Sequence, residues 1–417
     1  MRMRITYYML VAGIGFEITG FSQQEYYPFE TSHYGFIDYS KNRFTLFRDS
    51  SFYLALYNRF DSLLQYGTSG LSVVHIGGSH IQADIYTHRI RQRFNIFEPG
   101  IIGARGFIFP YRMAQTNNPS NFGVQYTGNW THCKNIYSNV DCELGLAGYS
   151  VTTSDTIASF KIFLNRDSTM HFEFNRLKIF HPYTRRDYKL IINPSEYCKV
   201  QIRNEKLGYT EYLFDRFLDS IEFVTCKTDS AQNRFELLGL SFESDDPGIV
   251  YNTVGVNGAR LSSYLRCQLF ENHLQALKPD LVIISIGTND GNTRRFDEEL
   301  YYHEYIELLS KIRIAAPDAA ILLTVPNDSY LFKRYINRNT EKMMHVILTL
   351  AEQYNLAVWD FYSIMGGLNS AQAWYDAGLM NRDHIHFNKQ GYILKGDLFF
   401  AAFLNTWDDF LNNRNTK

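Results

Sequence analysis

Short apolar runs that alternate with amphipathic helical patterns constrain the fold of this chain most strongly. The apolar runs span residues 71–76, 280–286, 319–325 and 357–361. The helical patterns span residues 51–66, 81–94, 296–315, 340–355 and 389–403. Strands that are apolar on both faces and separated by helices are typical of a parallel sheet covered by helices on both sides. The sequence therefore predicts an α/β fold with a parallel sheet.

The middle of the chain has a different texture. Between residues 116 and 250, short stretches such as 170–174 and 188–192 alternate apolar and polar residues between Asn, Gly, Pro and Asp turns. This pattern is typical of antiparallel strands with one buried face. We therefore predict an inserted antiparallel β-sandwich at residues 116–250, which divides the α/β domain into a first part, 23–115, and a second part, 251–417.

The first 22 residues read as an export signal. Arg2 and Arg4 precede an apolar stretch at residues 5–14, and Gly20-Phe21-Ser22 follow as a cleavage site. A retained N-terminal strand is the alternative. The signal predicts a periplasmic or extracellular protein, and no later apolar run reaches the roughly 20 residues that span a membrane. We expect no stable membrane insertion once the signal is removed.

Net charge and cysteine content indicate whether nucleic-acid binding, disulfides or a zinc site should be expected. The chain has 41 basic and 43 acidic residues, a net charge of −2, which gives no electrostatic reason to expect binding to nucleic acid. In an oxidising compartment, Cys133 with Cys142 or Cys198 with Cys226 can form a disulfide, leaving Cys267 over. The cysteines and histidines lack the spacing of a zinc site, so we expect no structural zinc.

A serine follows the first apolar run directly. Gly77-Gly78-Ser79 lies between that predicted strand and a helix. In open α/β folds, ligands bind at the carboxyl ends of the strands, and a helix amino terminus offers N–H groups to a negative charge. Ser79 is therefore a candidate nucleophile. The competing interpretation is a helix N-cap, a position where serine is common.

Asp383 and His386 form a second candidate pair near the carboxyl end. A spacing of three residues can place the carboxylate against one imidazole nitrogen, leaving the other nitrogen to face a serine hydroxyl. His384 is one residue from Asp383, and we expect it to point elsewhere. The alternative is a surface loop with a structural Asp–His hydrogen bond.

Two turns supply candidate donors for a developing oxyanion. Asn289 lies at the mouth of the predicted strand 280–286, and its amide can donate a hydrogen bond. Gly258, in Gly255-Val256-Asn257-Gly258-Ala259, would leave its backbone N–H open to a reacting carbonyl. Ordinary turn chemistry is the alternative for both.

Taken in order, these motifs resemble the SGNH (GDSL-type) hydrolase superfamily, with Ser79, Gly258, Asn289 and His386 as its four marker residues. The resemblance implies a three-layer αβα, flavodoxin-like domain in which Asp383 completes a catalytic triad. It also implies that His386 acts as base and then as acid. The oxyanion hole would comprise the Ser79 and Gly258 N–H groups and the Asn289 amide. No metal or organic cofactor is implied.

Within that superfamily the chain looks most similar to bacterial peptidoglycan O-acetylesterases, which carry a similar insert resembling a carbohydrate-binding module. The similar sequence segments are residues 75–80, 255–259 and 286–290. One departure is Gly78, where the family usually has Asp. The motif is also distinct from the Gly-x-Ser-x-Gly elbow of α/β-hydrolases, because Ile81 occupies its last position.

The resemblance favours an esterase that removes acetyl groups from an O-acetylated polysaccharide, with peptidoglycan as the leading candidate. A lipase or thioesterase of the same superfamily is an alternative, although such enzymes are usually compact single domains. A catalytically silent carbohydrate-binding protein is another alternative, motivated by Gly78 and the insert. An acetyltransferase is a further alternative, because a sugar hydroxyl can intercept the same acyl-serine intermediate.

Overall fold

The computed structural model describes residues 33–47, 51–68, 70–138, 142–166, 169–183 and 187–415. The predicted export signal at residues 1–22 lies outside these ranges. None of the helices within them combines the length and the apolarity that crossing a membrane requires.

A six-stranded parallel sheet forms the centre of the α/β part, and it confirms the predicted fold class. Its strands are apolar and almost completely buried, as expected for a sheet that is covered on both faces. From one edge to the other, the strands are Ile102–Ala104, Ile249–Gly255, Leu71–Gly77, Leu281–Ser285, Ala320–Thr324 and Ala357–Trp359.

The strand Leu71–Gly77 lies where the strand order reverses. Chain segments that follow it continue first toward the Ile102–Ala104 edge and later toward the opposite edge. Gly77 is paired with Gly255 on one side and with Ser285 on the other, so three strands end at the same level. Such a switch point leaves a crevice at the carboxyl ends of the strands, where open α/β folds bind their ligands.

Two groups of helices cover the sheet. Within one group, the Phe60 ring contacts the rings of Phe403 and Trp407, at centroid distances of 5.1 and 5.3 Å. This group comprises Ser51–Tyr66, Ile85–Phe97 and Lys389–Asn415. In the other group, Glu298–Ala315 packs against Leu261–Leu265, Phe270–Leu277 and Asn339–Tyr354.

Several helices differ from the sequence-based expectation. The single helical pattern predicted at 81–94 is two helices, Ser79–Gln82 and Ile85–Phe97. They are separate because Asp84 adopts a left-handed conformation with φ of 49°, which a continuous helix excludes. The final helix continues past the predicted end at 403 to Asn415. The remaining short helical segments are Tyr39–Lys41, Tyr111–Ala114, Phe361–Ile364 and Ser370–Asp376.

Three antiparallel sheets form between the two parts of the parallel sheet. The five-stranded sheet has the order Cys198–Asn204, Tyr209–Leu218, Phe174–Phe180, Gly239–Glu243 and Gly106–Ile108. The four-stranded sheet has the order Gly123–Thr127, Ile157–Phe163, Ser220–Cys226 and Lys189–Asn193. The three-stranded sheet has the order Phe235–Leu237, Tyr149–Thr153 and Thr131–Lys134.

The details of this region depart from the predicted strands. Burial alternates along Ser220–Cys226, as expected for a strand with one buried face. The stretch 170–174, predicted as a strand, has strand geometry only from Phe174 onward. Gly106–Ile108 joins the antiparallel sheet although it precedes residue 116. The division of the chain into domains at 116 and 250 stays a prediction.

One of the two predicted cysteine pairs is joined. Cys133 and Cys142 form a disulfide with a Cα–Cα distance of 6.6 Å. Cys198 and Cys226 are free thiols, and Cys267 is free and buried. Burial raises the pKa of the Cys267 thiol to about 12, which makes it unreactive as a nucleophile.

Candidate active site

Ser79 is the first residue of the helix Ser79–Gln82 and follows the strand Leu71–Gly77 almost directly. The turn is tight: a Cβ on Gly77 would collide with the Ile81 side chain and would lie 2.8 Å from the Ser285 carbonyl oxygen. Gly78, not Ser79, occupies the N-cap position of the helix. The Ser79 hydroxyl is therefore not used for capping, and its side chain is partly exposed.

The Ser79 hydroxyl forms a hydrogen bond with His386. Its Oγ lies 2.9 Å from His386 Nε2, and His386 Nδ1 lies 2.7 Å from Asp383 Oδ2. Three side chains from opposite ends of the chain thus form a continuous hydrogen-bonded series. The His386 side chain is 35% exposed and that of Asp383 is 21% exposed, so the series is open to solvent at its reactive end.

Asp383 is held as a carboxylate by a dense set of donors. Its partial burial acts to raise its pKa, but the His386 ring and the backbone N–H groups of His386 and Ile385 outweigh burial. Both N–H groups donate to Oδ1 at 3.0 Å, while Oδ2 receives the ring. The pKa of Asp383 therefore lies below its usual range, and its charge persists throughout the neutral range.

His384 takes no part in this series. Its ring stacks on the Tyr330 ring at a centroid distance of 4.3 Å and contacts the Tyr375 ring at 4.6 Å. Its backbone is left-handed, with φ of 50°, which turns the residue away from its neighbours. His384 instead anchors the loop that carries Asp383 and His386.

Asn289 and Gly258 lie next to the Ser79 turn. The Asn289 side-chain amide donates to the Ala259 carbonyl at 3.0 Å, which uses one of its two hydrogens. The same nitrogen would lie 3.4 Å from a Cβ placed on Gly78. Gly258 has φ of 86°, a conformation that favours glycine. The structure therefore brings the segments of all three predicted oxyanion donors to one place.

Gln82 connects these segments, and no sequence pattern singled it out. Its Oε1 accepts hydrogen bonds from the Asn257 backbone at 2.7 Å and from the Tyr149 hydroxyl at 3.1 Å. Its Nε2 donates to the Asn117 carbonyl at 3.0 Å. A buried amide with all these partners fixes the loop before Gly258 relative to the helix that begins at Ser79.

Asp84 forms a second buried cluster near Ser79. Its carboxylate binds Arg91 at 3.0 Å, Arg105 at 2.5 Å and Asn121 at 2.8 Å, and the three charged side chains are at most 1% exposed. Burial acts to raise the pKa of Asp84, but the two guanidinium groups hold it well below the usual range. This cluster fixes the turn after Ser79–Gln82. The sequence analysis did not predict this cluster. The pattern that could have indicated it is an Asp followed by an Arg seven residues later.

The inner wall behind His386 is formed by His80 and Lys395. The His80 ring lies 5.2 Å from the His386 ring, and its Nδ1 bonds to the Tyr392 hydroxyl at 2.9 Å. Burial lowers the pKa of His80 well below its usual value, so this imidazole is neutral. Burial likewise lowers the pKa of Lys395 to about 7. The neutral His80 ring therefore adds no charge repulsion when His386 gains a proton.

Family and fold comparisons agree with this architecture. The GDSL-like lipase/acylhydrolase family model matches residues 222–394, a range that includes Gly258, Asn289, Asp383 and His386 but not Ser79. No curated protein matches the chain in sequence.

Among solved structures, a peptidoglycan O-acetylesterase is 20% identical, with a TM-score of 0.72, and the alignment covers 88% of this chain and 99% of that one. An acetylxylan esterase from Geobacillus stearothermophilus is 24% identical, with a TM-score of 0.30 and coverage of 37% and 72%. A lipase/acylhydrolase from Enterococcus faecalis is 20% identical, with a TM-score of 0.29 and coverage of 38% and 75%. Residues 222–394 are therefore similar to the GDSL-like lipase/acylhydrolase family, and the chain shares its fold with the peptidoglycan O-acetylesterase.

Proposed function

We propose that this protein is a serine esterase that removes O-acetyl groups from an envelope or extracellular polysaccharide, with peptidoglycan as the leading substrate. The observation that carries the proposal is the hydrogen-bonded series from Ser79 through His386 to Asp383. A hydroxyl, an imidazole and a carboxylate in this order are what a serine needs to lose its proton as it attacks an ester.

In the proposed reaction, Ser79 Oγ attacks the acetyl carbonyl carbon while His386 Nε2 takes the hydroxyl proton. The carbonyl oxygen becomes an oxyanion facing the N–H groups of Ser79 and Gly258 and the second amide hydrogen of Asn289. His386 then gives its proton to the departing sugar oxygen, which leaves as an alcohol. Water attacks the acetyl-serine with His386 again as base, and acetate is released.

Asp383 supports both proton transfers. Its carboxylate stays charged and fixes the imidazole so that Nδ1 keeps its proton and Nε2 faces Ser79. The charge also stabilises the imidazolium that forms after each proton transfer.

Two observations support a polysaccharide as the substrate. The fold matches a peptidoglycan O-acetylesterase over 88% of this chain and 99% of that one. The sequence pattern of residues 1–22 also favours export to where such polymers are found.

The test is acetate release from O-acetylated peptidoglycan, measured beside p-nitrophenyl acetate hydrolysis, for the wild type and Ser79→Ala. We expect both activities to fall by about 10⁴-fold or more, as when a triad nucleophile is removed. Ser62→Ala is the matched control, because that hydroxyl donates within its own helix, to the Asn58 carbonyl. Undiminished hydrolysis by Ser79→Ala would reject the nucleophile, and hydrolysis of the small ester alone would reject peptidoglycan.

A further inference from the structure

A small hairpin stands beside the candidate active site and is tied to two of its loops. We call residues 330–336 the rim hairpin; its strands are Tyr330–Leu331 and Tyr335–Ile336. The Tyr330 N–H donates to the His384 carbonyl at 2.9 Å, in the loop that carries Asp383 and His386. The Phe332 N–H donates to Asn292 Oδ1 at 2.9 Å, in the segment that follows Asn289. The rim hairpin therefore borders the crevice above Ser79.

The turn of the rim hairpin holds bulky residues in an unfavourable conformation. Phe332 and Lys333 have φ of 51° and 61°, and the Arg334 N–H donates to the Leu331 carbonyl at 3.1 Å. Hairpins of this geometry prefer Asn-Gly, because Cβ atoms are disfavoured at positive φ. A phenylalanine and a lysine there are poor choices for folding, which points to a use for their side chains.

Apolar and aromatic side chains of the rim hairpin are open to solvent. Phe332 is 45% exposed, Tyr335 56% and Ile336 46%. Exposed apolar and aromatic side chains beside a crevice are typical of a surface that contacts a ligand. Rings placed there can pack against the apolar faces of sugar units that extend from the ester.

Exposed cations surround the same border. Lys333 and Arg334 stand at the hairpin tip, Arg294 and Arg295 follow Asn292, and Arg382 precedes Asp383. None of the five forms an ion pair with any residue that the structure describes.

Two carboxylates act on Tyr330 of the rim hairpin: Asp328 is buried, and Asp376 accepts a hydrogen bond from Gln372 at 2.7 Å. Residues 330–338 contain no Asp or Glu. Asp297 caps the helix Glu298–Ala315 by accepting from Leu300 at 3.0 Å, and Glu298 binds Lys342 at 2.9 Å. The border thus carries unpaired positive charge in a protein whose net charge is −2. Such a local field favours a negatively charged substrate.

We infer that the rim hairpin is the substrate-binding wall for an O-acetylated glycan that carries carboxylates, with Lys333 and Arg334 contacting the carboxylates and Tyr335 contacting a sugar ring. This inference rests on the proposed esterase function and names the substrate class of the same site. A neutral acetylated glycan lacks the groups that the two cations bind.

The test compares Lys333→Ala/Arg334→Ala with the wild type on O-acetylated peptidoglycan, acetylated xylan and p-nitrophenyl acetate. We expect the ratio of kcat/KM for peptidoglycan to kcat/KM for the small ester to fall about 10-fold or more, mainly through KM. The loss should shrink at high salt, because exposed charges are screened. The same ratio for xylan should change less than twofold. Lys206→Ala/Lys227→Ala removes the same charge from the antiparallel region and should leave both ratios unchanged.

A second variant separates charge from packing. Tyr335→Ala should lower the ratios for both glycans, and the lowering should be independent of salt. Equal ratios for the wild type and Lys333→Ala/Arg334→Ala would overturn the inference, as would equal losses on peptidoglycan and xylan.

Binding provides a measurement that does not need turnover. In sedimentation with insoluble peptidoglycan, Ser79→Ala should be retained, and adding the Lys333→Ala/Arg334→Ala changes should release it. Equal retention of the two proteins would overturn the inference. Failure of the proposed esterase function has a different signature, in which Ser79→Ala hydrolyses p-nitrophenyl acetate as fast as the wild type.

Discussion

Two carboxylates near Ser79 both have a lowered pKa but lie in opposite surroundings. Asp84 and Asp383 both have a pKa below the usual range because hydrogen bonds or charges outweigh burial. Asp84 is fully enclosed and bound by Arg91 and Arg105, neither of which can give up its proton. Asp383 is partly exposed and is paired with His386, whose ring can give up a proton.

The two carboxylates thus differ in their partners and in their accessibility rather than in their charge. A carboxylate enclosed by two permanent cations fixes backbone, here the turn after Ser79–Gln82. A carboxylate that holds a titratable ring at the edge of a crevice can support proton transfer.

The largest expected effect comes from Asp383→Asn. We expect kcat for p-nitrophenyl acetate to fall by about 10⁴-fold, because the amide favours the wrong imidazole tautomer and cannot stabilise an imidazolium. The free energy of unfolding, measured by urea titration, should change little, because the pair is partly exposed and screened. If Asp383→Asn lowered the free energy of unfolding as much as Asp84→Asn does, the distinction between the two carboxylates would be wrong.

Asp84→Asn should show the reverse pattern. Its free energy of unfolding should fall by about 3–5 kcal/mol, because two guanidinium groups would remain buried without a counter-charge. Urea unfolding followed by tryptophan fluorescence measures the loss. Asp215→Asn is the control: that carboxylate binds Lys199 at 2.8 Å at the surface, and its removal should leave stability unchanged. If both variants lost equal stability, burial would not be the cause.

The pH dependence of that stability difference sharpens the comparison further. Because the pKa of Asp84 is lower in the folded chain than in the unfolded chain, its contribution is fully present above the ordinary Asp value of 3.8. The contribution is lost as pH falls from that value toward the depressed pKa. The difference between the wild type and Asp84→Asn should therefore be constant from pH 5 to pH 8 and shrink below about pH 4. A difference that already declines at pH 6 would contradict this assignment.

The smallest expected effect distinguishes the two glycines that precede Ser79. Gly78 has φ of −94°, and a Cβ there would meet Asn289 Nδ2 at an ordinary 3.4 Å. Gly78→Ala should therefore change kcat by less than about 10-fold, since one ordinary contact costs less than about 1.4 kcal/mol. Gly77→Ala places its Cβ against Ile81 and the Ser285 carbonyl, so it should destabilise the fold by about 1–3 kcal/mol. Thermal unfolding and p-nitrophenyl acetate kinetics measure both.

The α/β elements were predictable because strands that are buried on both faces need continuous apolar runs, which are visible in the sequence. The apolar runs at 71–76 and 319–325 match the strands Leu71–Gly77 and Ala320–Thr324 within a residue. The strand Gly106–Ile108 has only three residues, too few to show a period of two. Its place in the antiparallel sheet depends on pairing with Gly239–Glu243, more than 130 positions later in the chain, which no local pattern reveals.

The candidate site was predictable only in part. Ser79 was noticeable because it follows a predicted strand, and Asp383 and His386 because they are three residues apart. The structure brings the three side chains together. Their catalytic roles stay a prediction. Gln82 was missed because a glutamine in a helical pattern reads as a solvent-facing residue. Its importance comes from contacts with Asn257 and Tyr149, which arrive from distant segments.

The position of Leu71–Gly77 at the centre of the parallel sheet has a consequence for how this architecture can diversify. The antiparallel region departs after the edge strand Ile102–Ala104 and returns into Ile249–Gly255, its immediate neighbour. The chain therefore leaves the parallel sheet and re-enters it on two adjacent strands. A segment exchanged through that opening would have to keep the contacts that Asn117, Asn121 and Tyr149 make with Gln82 and Asp84, because these contacts hold the turn around Ser79. Only the parts of the antiparallel region that lie away from these contacts can vary independently of the candidate site.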